Sequence, residues 1–333
     1  MQASSRNRVN KLITNKSLRI LRPALDTLYA DFNVEHSAAD PIWIVRRYQQ
    51  PADREVAGFI AASLAFGRVQ SVLNSIEGML AVMGPSPAAF VHAFEPARDR
   101  KAFDHLVHRW TRGVDMAALV WLLHQMIAKS GSIEGFFVEG LLPGAVDVSE
   151  ALQSFSTRAL ALDRKAVYGR ARPKPGVAYF FSRPSSGGAC KRLNLFLRWM
   201  VRHDQVDVGV WSRVRPGQLI VPLDTHVIRV GQCLRLTRFK SPGWKMAADI
   251  TASLRKLDPL DPVKFDFSIC HLGMMNACGS GKKAGDSQCP LRGACRPERP
   301  PRLIRRIVKA DLVPRFHRPQ VRPECHSKQQ RSR

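Results

Sequence analysis

A lysine, an aspartate and four crowded cysteines are the residues of this 333-residue chain whose types and spacing could do chemistry. The lysine is Lys191, in the segment Pro184 to Arg202. Gly187 and Gly188 permit a tight turn there, one whose backbone N–H groups can face a phosphate. The helix that follows buries Leu193, Phe196, Leu197 and Met200. Its other face carries Lys191, Asn194, Arg198 and Arg202 at steps of three, four and four. A lysine among cations gives up its proton more easily, which is what a nucleophilic amine needs. The competing reading is a solvated basic face, Arg192 included, that binds phosphate by charge alone.

The aspartate is Asp224, within Ile220-Val-Pro-Leu-Asp-Thr-His-Val-Ile-Arg-Val230. Pro222 sets an extended approach, and Asp224 stands where a helix begins. As an N-cap it accepts hydrogen bonds from the first turn, which keep it ionised and fixed. Capping alone explains an aspartate at this place. A carboxylate so held can also stabilise positive charge developing on a sugar ring.

Cys270, Cys278, Cys289 and Cys295 are separated by seven, ten and five residues, with Gly279, Gly281, Gly285 and Gly293 letting the loop curl back. Four thiolates converging from such a loop can hold a 4Fe–4S cluster or zinc. No Cys-x-x-Cys pair is present, so a core role for Cys270 and a metal-free loop are the alternatives. The crowding points to a reducing compartment rather than a disulfide framework. Asp204 and Asp207 read as solvated acids between two helices.

The elements that must position these groups are helical almost throughout. Apolar residues recur at helical spacing over 53–66, where Asp53 can cap, and over 69–83, ended by Gly84-Pro85. The turn between these two helices, Gly67-Arg68, is expected to be exposed. Further helices are expected over 115–129, 132–142, 149–162, 189–202, 225–236, 244–257 and 262–277. Residues 163–188 mix bases with Pro and Gly and read as a basic connection with a short turn or strand at Val177–Phe181. The expected class is all-α, as two helical lobes around a central cleft within residues 21–297.

Lys and Arg outnumber Asp and Glu by 52 to 27, a net charge of +25. The ends carry +6 (residues 1–23) and +9 (residues 296–333), leaving +10 on the body. Residues 1–20 and 298–333 read as solvated basic tails. A basic body argues for a polyanionic partner, nucleic acid before membrane. No apolar run reaches the roughly 18 residues of a membrane span, and the N-terminus lacks the apolar core of a secretory signal. The expectation is a cytoplasmic, nucleoid-associated protein, monomeric in the simplest case.

The string Val221-Pro-Leu-Asp224-Thr-His-Val resembles the Val-Pro-Val-Asp-Thr-His-Val string of endonuclease III-like DNA glycosylases, of the helix-hairpin-helix superfamily. The order of features is similar too: a glycine turn, a lysine, an aspartate at a helix start, then a late cysteine cluster. Closer still is the likeness of residues 20–297 to the uncharacterised bacterial DUF2400 branch of that superfamily. It is carried by the stretches Asp53 to Arg68, Cys190 to Arg202 and Asp261 to Phe267. The resemblance implies a two-lobed helical fold that binds damaged duplex DNA and flips a base into its cleft. It assigns Lys191 as the Schiff-base nucleophile at the sugar, Asp224 as its activator, and the cysteine loop as a cluster site. Gly187, Gly188, Arg192, Asn194, Arg198, Arg202 and Arg68 would then face DNA. A catalytically silent DNA- or RNA-binding protein on the same fold is the other reading. Three spacings differ from the endonuclease III type. One more residue separates glycine from Lys191, the lysine-to-aspartate separation is 33 rather than roughly 20, and only the last cysteine gap matches.

Overall fold

The computed structural model describes residues 12–32, 37, 40–169, 176–274 and 289–292. Helices account for nearly all of its regular structure. Helix α1 (Asn15–Asp31) is capped by the Thr14 hydroxyl, which accepts from Ser17 N. Leu18, Leu21, Leu25 and Leu28 form its buried stripe. The N-terminal helix thus begins inside the stretch 1–20 that composition assigns to a tail. The reason is that stripe: one apolar face, repeated every three or four residues, outweighs a basic solvent face.

A short α2 (Ile42–Arg46) leads into α3 (Pro51–Leu64), whose residues from Val56 to Leu64 are all buried, so it is the central helix. Pro51 opens α3 at a position where no N–H is needed. Asp53 does not cap it, as the sequence suggests. Its carboxylate instead accepts from Ser86 Oγ and Ala88 N, at the start of another helix. Helix α4 (Val69–Met83) buries Val72, Ile76, Met79, Leu80 and Met83. There follow α5 (Pro87–Ala93), α6 (Pro96–Asp99), a two-residue antiparallel hairpin of β1 (Val107–His108) and β2 (Thr111–Arg112), and α7 (Gly113–Ser130). The hairpin escapes sequence reading because two residues per strand carry no periodicity.

Helices α8 (Ile133–Val138), α9 (Ser149–Ala161) and α10 (Lys165–Tyr168) complete the first part, and residues 176–180 form a 3₁₀ turn where a turn or strand is expected. Glu55 of α3, buried, caps α8: its carboxylate accepts from Ile133 N, Glu134 N and Trp211 Nε1 at 3.1, 2.7 and 2.8 Å. Helices α11 (Lys191–Val201), α12 (Thr225–Cys233), α13 (Trp244–Arg255) and α14 (Asp266–Met274) follow.

Helix α11 lies directly on α3, with Phe59 and Phe196 in edge contact at 4.9 Å. Gly58 sits at this contact, against the flexible end of the Met200 side chain. At the other contact that matters, α14 lies on α12 at Gly273, where a Cβ would meet His226 Cβ at 2.6 Å. Contacts gather residues 1–295 into one unit and 296–333 into another, and every described residue belongs to the first. Among the described residues no helix is long and apolar enough to cross a membrane.

Candidate functional site

Lys191 is the first residue of α11, and Asp224 is the N-cap of α12. The Asp224 carboxylate accepts through Oδ1 from His226 N and Val227 N at 2.9 and 2.8 Å, which fixes its plane. The other oxygen, Oδ2, faces Lys191 Nζ at 3.9 Å. Lys191 is 39% exposed and Asp224 16%, so the pair sits at the mouth of a recess rather than on open surface.

That recess is a cavity of about 200 Å³ between the α3–α4 turn, α11, the Pro222 approach and α14. It is smaller than the roughly 300–1,000 Å³ clefts that hold drug-sized ligands. Ala65, Gly67, Leu195, Pro222, Phe267 and Met274 supply apolar wall; Lys191, Asp224, Asp266 and Cys270 supply the chemistry. One small ring system with polar edges suits such a lining.

Cys270 reaches the site from α14, where Gly273 lets that helix close on α12. Its thiol donates to Asp224 Oδ2 at 3.1 Å, the same oxygen that faces Lys191. Burial first, and the Asp224 carboxylate second, push the Cys270 thiol well above its ordinary range. As placed, the Cys270 thiol is engaged with the Asp224 carboxylate. Cys289 is partly buried against the core, and Cys278 and Cys295 lie outside the described residues. Among the described residues no three His, Cys, Asp or Glu side chains gather as metal ligands.

The basic stripe of α11 is correctly periodic, but it faces inward. Arg198 and Arg202 are each 3% exposed. Arg198 donates to Asp266 Oδ2 at 2.6 Å and Asp207 Oδ1 at 3.1 Å. Arg202 donates to Asp261 at 2.9 Å, to Asp204 at 2.8 Å and to Asp207 Oδ2. Burial works against both guanidinium charges, yet the carboxylates outweigh it and hold them more firmly protonated than usual. These arginines are therefore not DNA contacts, and Asp204 and Asp207 are not solvated loop acids. Asn194 is also buried, donating to Ala189 O. The cations expected to loosen the Lys191 proton are matched by carboxylates of their own, and the charge beside the amine is Asp224.

Arg192 turns to the opposite side of α11. Its guanidinium lies 3.7 Å above the Tyr179 ring and donates to Ser63 O and Tyr179 O; burial pulls its pKa down to about 10. Gly187 and Gly188 are exposed, as a phosphate-facing turn requires, and Gly187 takes φ +78°. Its carbonyl accepts from Trp244 N, tying the turn to the start of α13. Arg68 is exposed at the start of α4.

Asp266, in the cavity wall and 3% exposed, has its carboxyl pushed up to about 6 by burial, against the pull of Arg198. The folded protein thus holds a proton there at pH values where the unfolded chain has lost it. The stability this group adds is present at low pH and lost as pH rises through about 6. Asp266→Asn fixes the neutral form. The wild-type-minus-variant unfolding free energy is expected to fall by up to about 3 kcal/mol between roughly pH 4 and pH 7. Parallel stability profiles from urea melts would sink this assignment.

Fold and cavity together define an all-α protein with a lysine–aspartate pair in a partly apolar recess. Residues 40–275 match the family described as a protein family of unknown function, DUF2400, and the chain belongs to that family. No curated protein and no solved structure matches the chain.

Proposed function

We propose that this protein is a DNA glycosylase of the helix-hairpin-helix type that excises a damaged base through Lys191, with strand cleavage at the resulting abasic site. The observation that carries the reading is the 3.9 Å approach of Lys191 Nζ to Asp224 Oδ2 at one cavity mouth, made by residues 33 apart in sequence. Only Oδ1 of Asp224 serves the helix, which leaves Oδ2 to Lys191 and Cys270.

In this reading a nucleotide enters the cavity from DNA, since a base inside the duplex stack is out of reach. Asp224 takes the amine proton after a small approach, and the Lys191 nitrogen attacks the sugar C1′. The C1′–N bond breaks, the electron pair leaves with the base, and the base takes up the proton held by Asp224. Asp224, an anion again and pinned by two backbone N–H groups, then stabilises the positive charge of the Schiff base that forms as the sugar ring opens. Cys270 holds the reacting oxygen in place. The basic body, +10 without its ends, supplies long-range attraction to the phosphates.

The test is borohydride trapping of the wild-type protein on duplexes bearing an abasic site, 8-oxoguanine or thymine glycol, with digestion of any adduct to find the linked peptide. A cross-link at Lys191 is the expected result. A cross-link elsewhere, or none from protein bound to each duplex, overturns the lysine chemistry.

A further inference from the structure

The hairpin between α6 and α7 carries an aromatic surface that nothing in the chemistry above uses. Trp110, at its tip, is 53% exposed. Its ring stacks on Phe66 at 5.1 Å, and Tyr179, 40% exposed, meets both rings edge-on at 5.0 and 5.2 Å. Arg192 lies over the Tyr179 ring. The tip is anchored rather than loose. His108 bridges Ser75 Oγ and Phe66 O at 2.8 and 2.9 Å, and the Arg109 side chain packs on Gly67, where a Cβ would meet its Nε at 2.8 Å. The same turn contributes Ala65 and Gly67 to the cavity wall, so the aromatic surface borders the recess.

Its surroundings are cationic. Arg68, Arg109 and Arg112 are exposed, and none of the three joins an ion pair among the described residues. A protein-binding patch of exposed Trp and Tyr would suit many partners. Flat rings with unpaired arginines around them suit a chain that offers both flat faces and negative charge.

We propose that Trp110, backed by Phe66 and Tyr179, is a stacking platform for an unstacked base of a DNA strand, with Arg68, Arg109 and Arg112 holding the flanking phosphates. The proposal rests on the nucleic-acid part of the reading above and is independent of the lysine chemistry. A base stacked on Trp110 would keep the strand open next to the nucleotide that enters the cavity.

Stacking and charge separate by salt. Binding of a labelled single-stranded oligonucleotide is followed by anisotropy over a series of salt concentrations. Trp110→Ala is expected to weaken binding about five- to 150-fold with an unchanged salt slope, because a stacked base releases no counterions. Trp110→Phe keeps a ring and should recover most of the loss. Arg109→Gln should flatten the slope by about 0.7, the value of one phosphate contact on a single strand. Equal binding by wild type and Trp110→Ala overturns the platform. So does a wild-type protein that binds duplex and ignores single strands.

Discussion

Lys191→Ala is expected to leave no trapped adduct on abasic DNA and to drop strand cleavage to the uncatalysed level, while DNA affinity stays within a few-fold of wild type. Among the described residues the amine is the only group at the cavity mouth that can form a Schiff base, and it is one charge among many on a +25 chain. Asp224→Asn makes the complementary measurement. Asparagine caps a helix about as well as aspartate, so the α12 start should survive with little change in stability. What is lost is the negative charge facing Nζ at 3.9 Å. Loss of a positioned base costs typically about 10²–10⁴-fold. Asp224→Asn should therefore fold normally and cleave slowly. A variant that unfolds would make Asp224 a structural cap. A variant that cleaves at the wild-type rate would remove it from the mechanism.

The second large effect is on stability. Asp207 has no exposed side-chain surface and serves both Arg198 and Arg202, one through each oxygen. Removing it leaves two buried guanidiniums short of a partner. Breaking a buried pair in this way costs about 3–5 kcal/mol, a large share of the roughly 5–15 kcal/mol that holds a domain folded. Asp207→Ala should shift the urea midpoint accordingly. The half-exposed pair Arg47–Glu77, 2.8 Å apart, serves as control. Glu77→Ala should cost no more than about 1 kcal/mol. Equal shifts for the two variants would show that the buried network contributes nothing special.

Much of the architecture was legible in the chain. Helix α4 announces itself by apolar residues at steps of three and four and by Gly84 at its end. Asp224 lies at a helix start, as Pro222 and the run after it imply. Lys191 and Asp224 could be paired only through family likeness, because nothing local joins residues 33 apart. The stripe Asn194, Arg198, Arg202 was legible as a stripe, but not its direction. Its partners Asp261 and Asp266 lie 59 and 68 residues away from the arginines they bind. A stripe of arginines looks solvated until its carboxylates are found. Cys270 was legible as one of four crowded cysteines, whereas its bond to Asp224 spans 46 residues. Asp53 shows the same limit: its type says cap, and only the packing of α5 on α3 says of which helix. The Trp110 tip had no signal beyond one tryptophan between Arg109 and Arg112.

The buried network also changes the outer face of the protein. Arg198 and Arg202 are enclosed with Asp204, Asp207, Asp261 and Asp266, a set whose formal charge is −2. The −2 of this set still counts in the body's net +10, which is what a distant polyanion meets. The two arginines, 3% exposed, are nonetheless lost as contacts, so the surface offers fewer cations to a bound polyanion than the composition suggests. The charge of the body therefore acts on encounter rate more than on final contacts.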